Sequence, residues 1–178
     1  MKRLMDIGLI KGFYPVVDYF SLGYDSYRLL LNLSNFNEQV LEEIIGDLKS
    51  VRGLTFTVFL QSYRDIEILM RAKSTNDFYA FYDRFIEKYS AHIQEKEFSL
   101  ATRVYIMRHA YLHKSQSAII LDQNRSETID GTDEKILGLL IKNARMPTVE
   151  IAKKTGLSPT TVKYRIRQLQ KNQILKGF

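Results

Sequence analysis

Along residues 14–107 the spacing of apolar residues switches repeatedly between every second position and every third or fourth, and this alternation sets the class of fold open to the chain. Tyr27, Leu29, Leu31 and Leu33 alternate with Arg28, Leu30, Asn32 and Ser34, the period of a strand. Asn35-Phe36-Asn37-Glu38 then has the form of a capping box. Val40, Leu41, Ile44, Ile45 and Leu48 fall on one stripe of the helix after it, which Gly53 closes off. Two strands follow, Leu54 to Leu60 and Asp65 to Arg71, joined by a short link, Gln61-Ser62-Tyr63-Arg64, that suits a hairpin. A second capping box, Ser74-Thr75-Asn76-Asp77, opens a helix carrying Phe78, Phe81, Tyr82, Phe85, Ile86 and Tyr89. Phe98, Leu100, Thr102, Val104 and Ile106, alternating with Glu97, Ser99, Ala101, Arg103 and Tyr105, predict a last strand.

The order β-α-β-β-α-β is the split βαβ arrangement of ferredoxin-like domains, with helices on one face of the sheet only. Leu30, Phe59, Leu69 and Tyr105 sit on the opposite parity, so the second face is expected to be covered, and a homodimer partner is the expected cover. From His113 to Ile129 polar residues dominate; Ser117 to Leu121 suggests one short strand, and Asp122 to Asp130 reads as a linker.

The net charge of +6 belongs to one end of the chain. Ile151 to Phe178 holds seven cations (Lys153, Lys154, Lys163, Arg165, Arg167, Lys171, Lys176) and no acid, while the other 150 residues sum to −1. Charge concentrated in this way suits a polyanion-binding module. The local pattern there is helical. Thr132 is expected to cap a helix burying Ile136, Leu137, Leu140 and Ile141, which Arg145-Met146-Pro147 ends; Thr148 is expected to cap a short second helix with Ile151 and Ala152 inward. Thr155-Gly156-Leu157-Ser158 then forms a tight turn in which Gly156 supplies a positive φ, Leu157 fills the core, and Ser158 caps the next helix with Pro159 at its first position. The third helix buries Val162, Ile166 and Leu169. A helix, a short helix, a glycine turn and a cationic third helix make a helix-turn-helix, whose last helix enters a major groove. Its candidate DNA-contacting residues are Ser158, Thr160, Thr161, Lys163, Tyr164, Arg165, Arg167 and Lys171: hydroxyls and amides at a helix N-terminus for phosphate or base edges, cations for phosphate or guanine.

Asp133-x-x-Ile136-Leu137, Asn143-Ala144-Arg145, Glu150-Ile151-Ala152, Thr155-Gly156-Leu157-Ser158, Thr161-Val162, Arg165-Ile166 and Leu169 resemble the winged helix-turn-helix of the Lrp/AsnC (leucine-responsive, feast/famine) regulators. Gly12-Phe13-Tyr14-Pro15 with Asp18, then Leu22-Gly23-Tyr24, resembles that family's entry into its effector-binding (RAM) domain. The resemblance implies an α+β fold, a ferredoxin-like βαββαβ domain followed by an all-α winged helix-turn-helix. It also implies double-stranded DNA as partner, a homodimer or higher homo-oligomer, and a small amino-acid-like effector. The effector turn of the family is a Gly-x-x-Asp; here Ser62-Tyr63-Arg64-Asp65 stands in its place, with serine where glycine would let a ligand approach the backbone. Ser62, Arg64 and Asp65 are the effector-site candidates, and Asp65 reads either as an amine ligand or as the residue that orders the hairpin.

The family places its DNA-binding module first, whereas here it comes last. A repeat accounts for the order: Lys2 to Phe13 aligns with Arg167 to Phe178, with Leu4/Leu169, Lys11/Lys176, Gly12/Gly177 and Phe13/Phe178 identical. The expected division is therefore 1–13, the remnant of a recognition helix and wing strand; 14–112, the ferredoxin-like domain; 113–131, a linker; and 132–178, the helix-turn-helix. It reads as a window of a longer, duplicated protein or as a permutation whose wing pairs unusually, and its last strand, Ile174 to Phe178, needs a partner.

Other classes fit less well. The chain has no cysteine, hence no disulfide framework or thiolate metal site, and no apolar run long enough for a membrane span or signal peptide; it reads as cytoplasmic. His92, His109 and His113 are its only histidines and suggest neither a metal set nor a cofactor. Enzymatic chemistry is not expected. The alternatives are a tetrapyrrole enzyme similar to the siroheme decarboxylases and an interaction module that does not bind DNA.

Overall fold

The computed structural model describes residues 2–60, 63–107, 118–122 and 128–177. In chain order its elements are α1 (Lys2–Asp6), β1 (Val16–Val17), β2 (Asp25–Leu33), α2 (Glu38–Lys49), β3 (Leu54–Phe59), β4 (Ile66–Ala72), α3 (Thr75–Lys88), β5 (Ile93–Ala101), β6 (Arg103–Met107), β7 (Ala118–Asp122), α4 (Gly131–Lys142), α5 (Thr148–Thr155), α6 (Pro159–Lys171) and β8 (Leu175–Gly177). They form two compact units: Gly23–Val104, and a second that joins the stretch up to Leu22 with everything from Tyr105 onward. The expected boundary at residue 14 thus moves to Gly23.

The first unit is the ferredoxin-like domain. Its antiparallel sheet runs β3-β4-β2-β5. Tyr27, Leu29 and Leu31 of β2 stand beside Met70, Ile68 and Ile66 of β4 in register and point at α2 and α3. From the helices, Ile44, Leu48, Phe78, Phe81 and Phe85 complete a core buried to within 5% of full exclusion, with the Phe78 ring stacked on Tyr27 at 4.3 Å. α3 starts where the sequence signals it, Ser74 accepting from the Asp77 amide, whereas α2 starts two residues later than the Asn35–Glu38 capping box implies: its cap is Asn37, which accepts from the Val40 amide, while Asn35 turns at φ 50°. Gly53 closes the α2–β3 turn at φ 90°, and a Cβ there would collide with the carbonyl oxygen of Arg71.

The second sheet face departs from the expected parity. A bulge between Leu54 and Phe56 flips β3, so that Phe56 pairs with Leu69 and Val58 with Glu67 on the outer face, while Phe59 stands beside the core residue Ile66. The predicted last strand also divides. Ile93–Ala101 belongs to the sheet, and Tyr105 lies on β6, which pairs with β7, so it is not on that face. On the outer face Leu30 is buried, Leu69 half-buried, and Phe56 and Val58 are 43% and 38% exposed. Arg28 pairs there with Glu67 at 2.7 Å.

The second unit packs α4, α5 and α6 around Ile136, Leu137, Leu140, Ile151, Val162 and Leu169, closed by Ile174 and Leu175 beside β8. Three expectations are corrected. The cap of α4 is Asp130, accepting from the amides of Thr132 and Asp133, not Thr132. The residue before α5 is Pro147, and Thr148 makes no cap, being already inside the helix. Ile141 points outward at 50% exposure, one position past the buried stripe.

Because any side chain at Gly53 combines a positive φ with a backbone collision, Gly53→Ala is expected to destabilise the ferredoxin-like unit by about 2 kcal/mol or more. Thermal unfolding followed by circular dichroism measures this, and an unchanged melting temperature would contradict the account.

Candidate nucleic-acid interface

The α6 helix is mounted by its apolar side. Successive helical residues are about 100° apart, so Val162, Ile166 and Leu169 share one side and Thr160, Lys163, Tyr164, Arg167 and Lys171 the other. Val162 and Leu169, buried, and Ile166, half-buried, pack into the core with α4 and α5, which leaves the second set in solvent, Tyr164 at 62% exposure. Among the described residues no carboxylate pairs with Lys153, Lys163, Arg167 or Lys171.

The turn that aims this helix is built as the sequence implies. Gly156 ends α5 at φ 72°, its amide donating to the Ala152 carbonyl. Ser158 accepts from the Thr161 amide at 3.0 Å and shares a hydrogen bond with the Thr161 hydroxyl at 2.8 Å. Both hydroxyls therefore hold the helix start, and Thr160 is the exposed hydroxyl of the first turn. Leu157 packs against the three-helix core.

Arg165 lies on the flank between the two sides. Its guanidinium donates to Asp130 at 2.7 Å and to Asp133 at 3.0 Å, tying α6 to the start of α4. Lys176 points inward, paired with Asp18 at 2.7 Å, and Lys154 pairs with Glu150 at 2.8 Å. Of the seven cations in this stretch, these three have acidic partners within the unit, and the outward charge rests on the remaining four. Charge counting alone had no means of separating the two groups, although Asp130 and Asp133 stand in the sequence as acids with no cation three or four residues away.

The effector candidates are placed differently. Asp65 accepts from the Leu33 amide at 2.7 Å and donates its own amide to the Leu31 carbonyl at 2.9 Å, contacts that tie the residue before β4 to the end of β2. Arg64 reaches Glu95 and Glu97 at 2.7 and 3.1 Å. Ser62 lies outside the described residues, as do His109 and His113, while the His92 ring is bonded to the Asn35 carbonyl. Among the described residues no group of three or more potential ligands is placed to hold a metal, and no helix is long and apolar enough to cross a membrane.

Three helices, a left-handed glycine turn and a short two-stranded wing define a winged helix-turn-helix, and the family described as winged helix-turn-helix DNA-binding matches residues 129–176. Over this module the chain is similar to regulators of the Lrp/AsnC type. It is 45% identical over 49 residues to the regulatory protein AsnC of Haemophilus influenzae, covering 28% of this chain and 33% of that protein. It is 46% identical over 50 residues to the HTH-type transcriptional regulator LrpA of Pyrococcus horikoshii, covering 28% and 36%. The chain thus spans about a third of the length of these curated relatives. Among solved structures, the siroheme decarboxylase NirDL in co-complex with an iron-uroporphyrin III analogue superposes with a TM-score of 0.62 at 14% identity, over 99% of this chain and 52% of that one. That likeness is one of fold.

Asp130 is held below its ordinary value of 3.8, first by the Asp133 amide and then by Arg165. Stability from a carboxylate with a depressed folded value is complete above its unfolded value and lost as pH falls through the folded one. Asp130→Asn is therefore expected to lower the melting temperature of the helical unit at neutral pH, with the gap to the parent closing below pH about 4. A gap that stays constant down to pH about 2 would contradict this assignment.

Proposed function

We propose that the chain is a sequence-specific, double-strand-DNA-binding transcriptional regulator of the Lrp/AsnC type, cytoplasmic and without enzymatic chemistry of its own. The observation that carries this reading is the outward side of α6, where Thr160, Lys163, Tyr164, Arg167 and Lys171 stand together with no acid among them. A helix of this width fits a major groove, its cations reaching phosphates and guanine edges and its first-turn hydroxyl a phosphate or base. Arg165 acts one step back, fixing the helix against α4.

Dimerisation through the outer sheet face is the finer part of the proposal. Phe56, Val58, Leu69 and Leu30 share that face with the Arg28–Glu67 and Arg64–Glu95 pairs, Glu67 standing between Val58 and Leu30, so apolar and oppositely charged groups alternate in a pattern suited to a self-complementary contact. A two-fold pair of modules would read two half-sites. A small amino-acid-like effector at the loop before β4 would have to compete with the partners that Arg64 and Asp65 already hold. The decarboxylase reading rests on shared fold alone, which does not transfer chemistry at this identity.

Binding is tested by fluorescence anisotropy with labelled duplexes selected from the source genome. Arg167→Ala is expected to cost on the order of 1–3 kcal/mol, and Lys171→Ala to reduce the slope of log affinity against log salt by about 1. Equal affinity for parent and Arg167→Ala would remove this helix from the interface. Sedimentation of Phe56→Asp is expected to show a shift from dimer to monomer; an unchanged sedimentation coefficient would place the contact elsewhere. A Soret band of bound haem with no duplex retarded at low salt would favour the decarboxylase reading instead.

A further inference from the structure

The second unit contains a piece of chain that its helices do not account for. Residues Phe13–Leu22 lie more than a hundred positions before α4, yet they are built into the same compact unit. The Phe13 carbonyl accepts from the Ala144 amide at 3.0 Å, and the Arg145 guanidinium stands 3.8 Å above the Phe13 ring. Val16 and Val17 pair antiparallel with Gly177 and Leu175. The Asp18 amide donates to the Ile174 carbonyl at 2.8 Å. Val17 and Leu22 pack against the three-helix core. The Asp18 side chain, 3% exposed, meets the Lys176 ammonium at 2.7 Å, and Lys176 also donates to the Ile120 carbonyl of β7. A wing needs two strands, and here the second comes from the other end of the sequence.

The repeat identifies which strand it is. Residues 2–8 adopt the same backbone course as 167–173: Ile7 donates to Arg3 at 3.2 Å as Asn172 does to Gln168 at 2.8 Å, and Gly8 to Met5 at 2.9 Å as Gln173 to Gln170 at 3.1 Å. Gly8 at φ 71° matches Gln173 at φ 60°. The two copies differ in burial. Leu169 and Ile174 are 3% and 1% exposed in the core, whereas their counterparts Leu4 and Leu9 are 38% and 71% exposed. The first copy therefore adds little apolar packing of its own, and the strand that follows it serves the wing of the second.

We propose that Phe13–Leu22 is a constitutive strap of the DNA-binding unit, supplying its second wing strand, and that Asp18 is the positioning residue that fixes the wing by holding Lys176 inward. The Asp18 carboxylate is buried while Lys176 is only partly so, and removing Lys176 leaves the Asp18 charge without its partner and away from water. Lys176 then serves the wing and makes no phosphate contact. The binding part of this inference rests on the DNA-binding reading; the strap itself does not.

The test uses the full chain. Amide hydrogen exchange, read by NMR, is measured in the parent, in Asp18→Asn, and in Lys176→Met, which keeps the aliphatic stem and removes the same ion pair. Either variant is expected to speed exchange at Asp18 and Leu175–Gly177 on the order of tenfold, with the α2 and α3 amides unchanged. Unchanged protection at these strands in a folded variant overturns the strap. In duplex binding, Lys176→Met is expected to lower affinity on the order of tenfold while keeping the salt slope of the parent; a slope reduced by about 1 identifies Lys176 as a phosphate contact and overturns its inward role. Faster exchange with unchanged affinity overturns the positioning role of Asp18. A parent chain that binds no duplex sinks the DNA-binding reading, and the exchange comparison still decides the strap.

Discussion

The orientation of α6 is set by one interaction: the packing of Val162, Leu169 and the half-buried Ile166 into the core shared with α4 and α5. A helix of thirteen residues has one apolar stripe, and once that stripe is committed to a core the opposite side has no choice but to face water. Here that side carries Lys163, Arg167 and Lys171 with Thr160 and Tyr164. The Gly156 turn sets the angle at which α6 leaves α5, and the Arg165 pairs with Asp130 and Asp133 keep it from rolling. Exposed ion pairs are individually weak, but this one joins the beginning of the first helix to the middle of the third and so acts on the rotation that determines which side chains point outward.

Much of this was legible in the residues themselves. Helix starts at Ser74 and Ser158 follow from side chains whose oxygen can take an amide proton, while at α2 the cap falls on Asn37 and not on Asn35, a second asparagine two positions earlier; Gly156 and Pro159 bracket the turn for reasons of backbone geometry alone. The β-α-β-β-α-β order follows from period. What period does not reveal is a bulge: one extra residue near Thr55 reverses every later side chain of β3, which is why Phe56 and Val58, not Phe59, reach the outer face. The cap of α4 was ambiguous because Asp130 and Thr132 are both capping residues two positions apart, and the amides of Thr132 and Asp133 both turn to the carboxylate.

The candidate site divides along the same line. Spacing on a helix shows which residues share a side, so Thr160, Lys163, Tyr164, Arg167 and Lys171 could be grouped without coordinates. Whether a cation is free or already paired depends on residues far away in sequence: Arg165 on Asp130, Lys176 on Asp18. The wing posed the same difficulty. A strand of two residues has no period to detect, and Val16–Val17 gains its meaning only from pairing with β8. The repeat pointed to the need for a partner strand without saying that the chain supplies its own.

The most direct test of the central claim is an NMR titration of the isotopically labelled chain with a selected duplex, following every backbone amide. The account predicts shifts concentrated on Ser158 to Lys171, with the amides of Ile136, Leu137 and the α2 and α3 helices unmoved. Shifts confined to the outer face of the four-stranded sheet, or none on α6 at saturation, would contradict it.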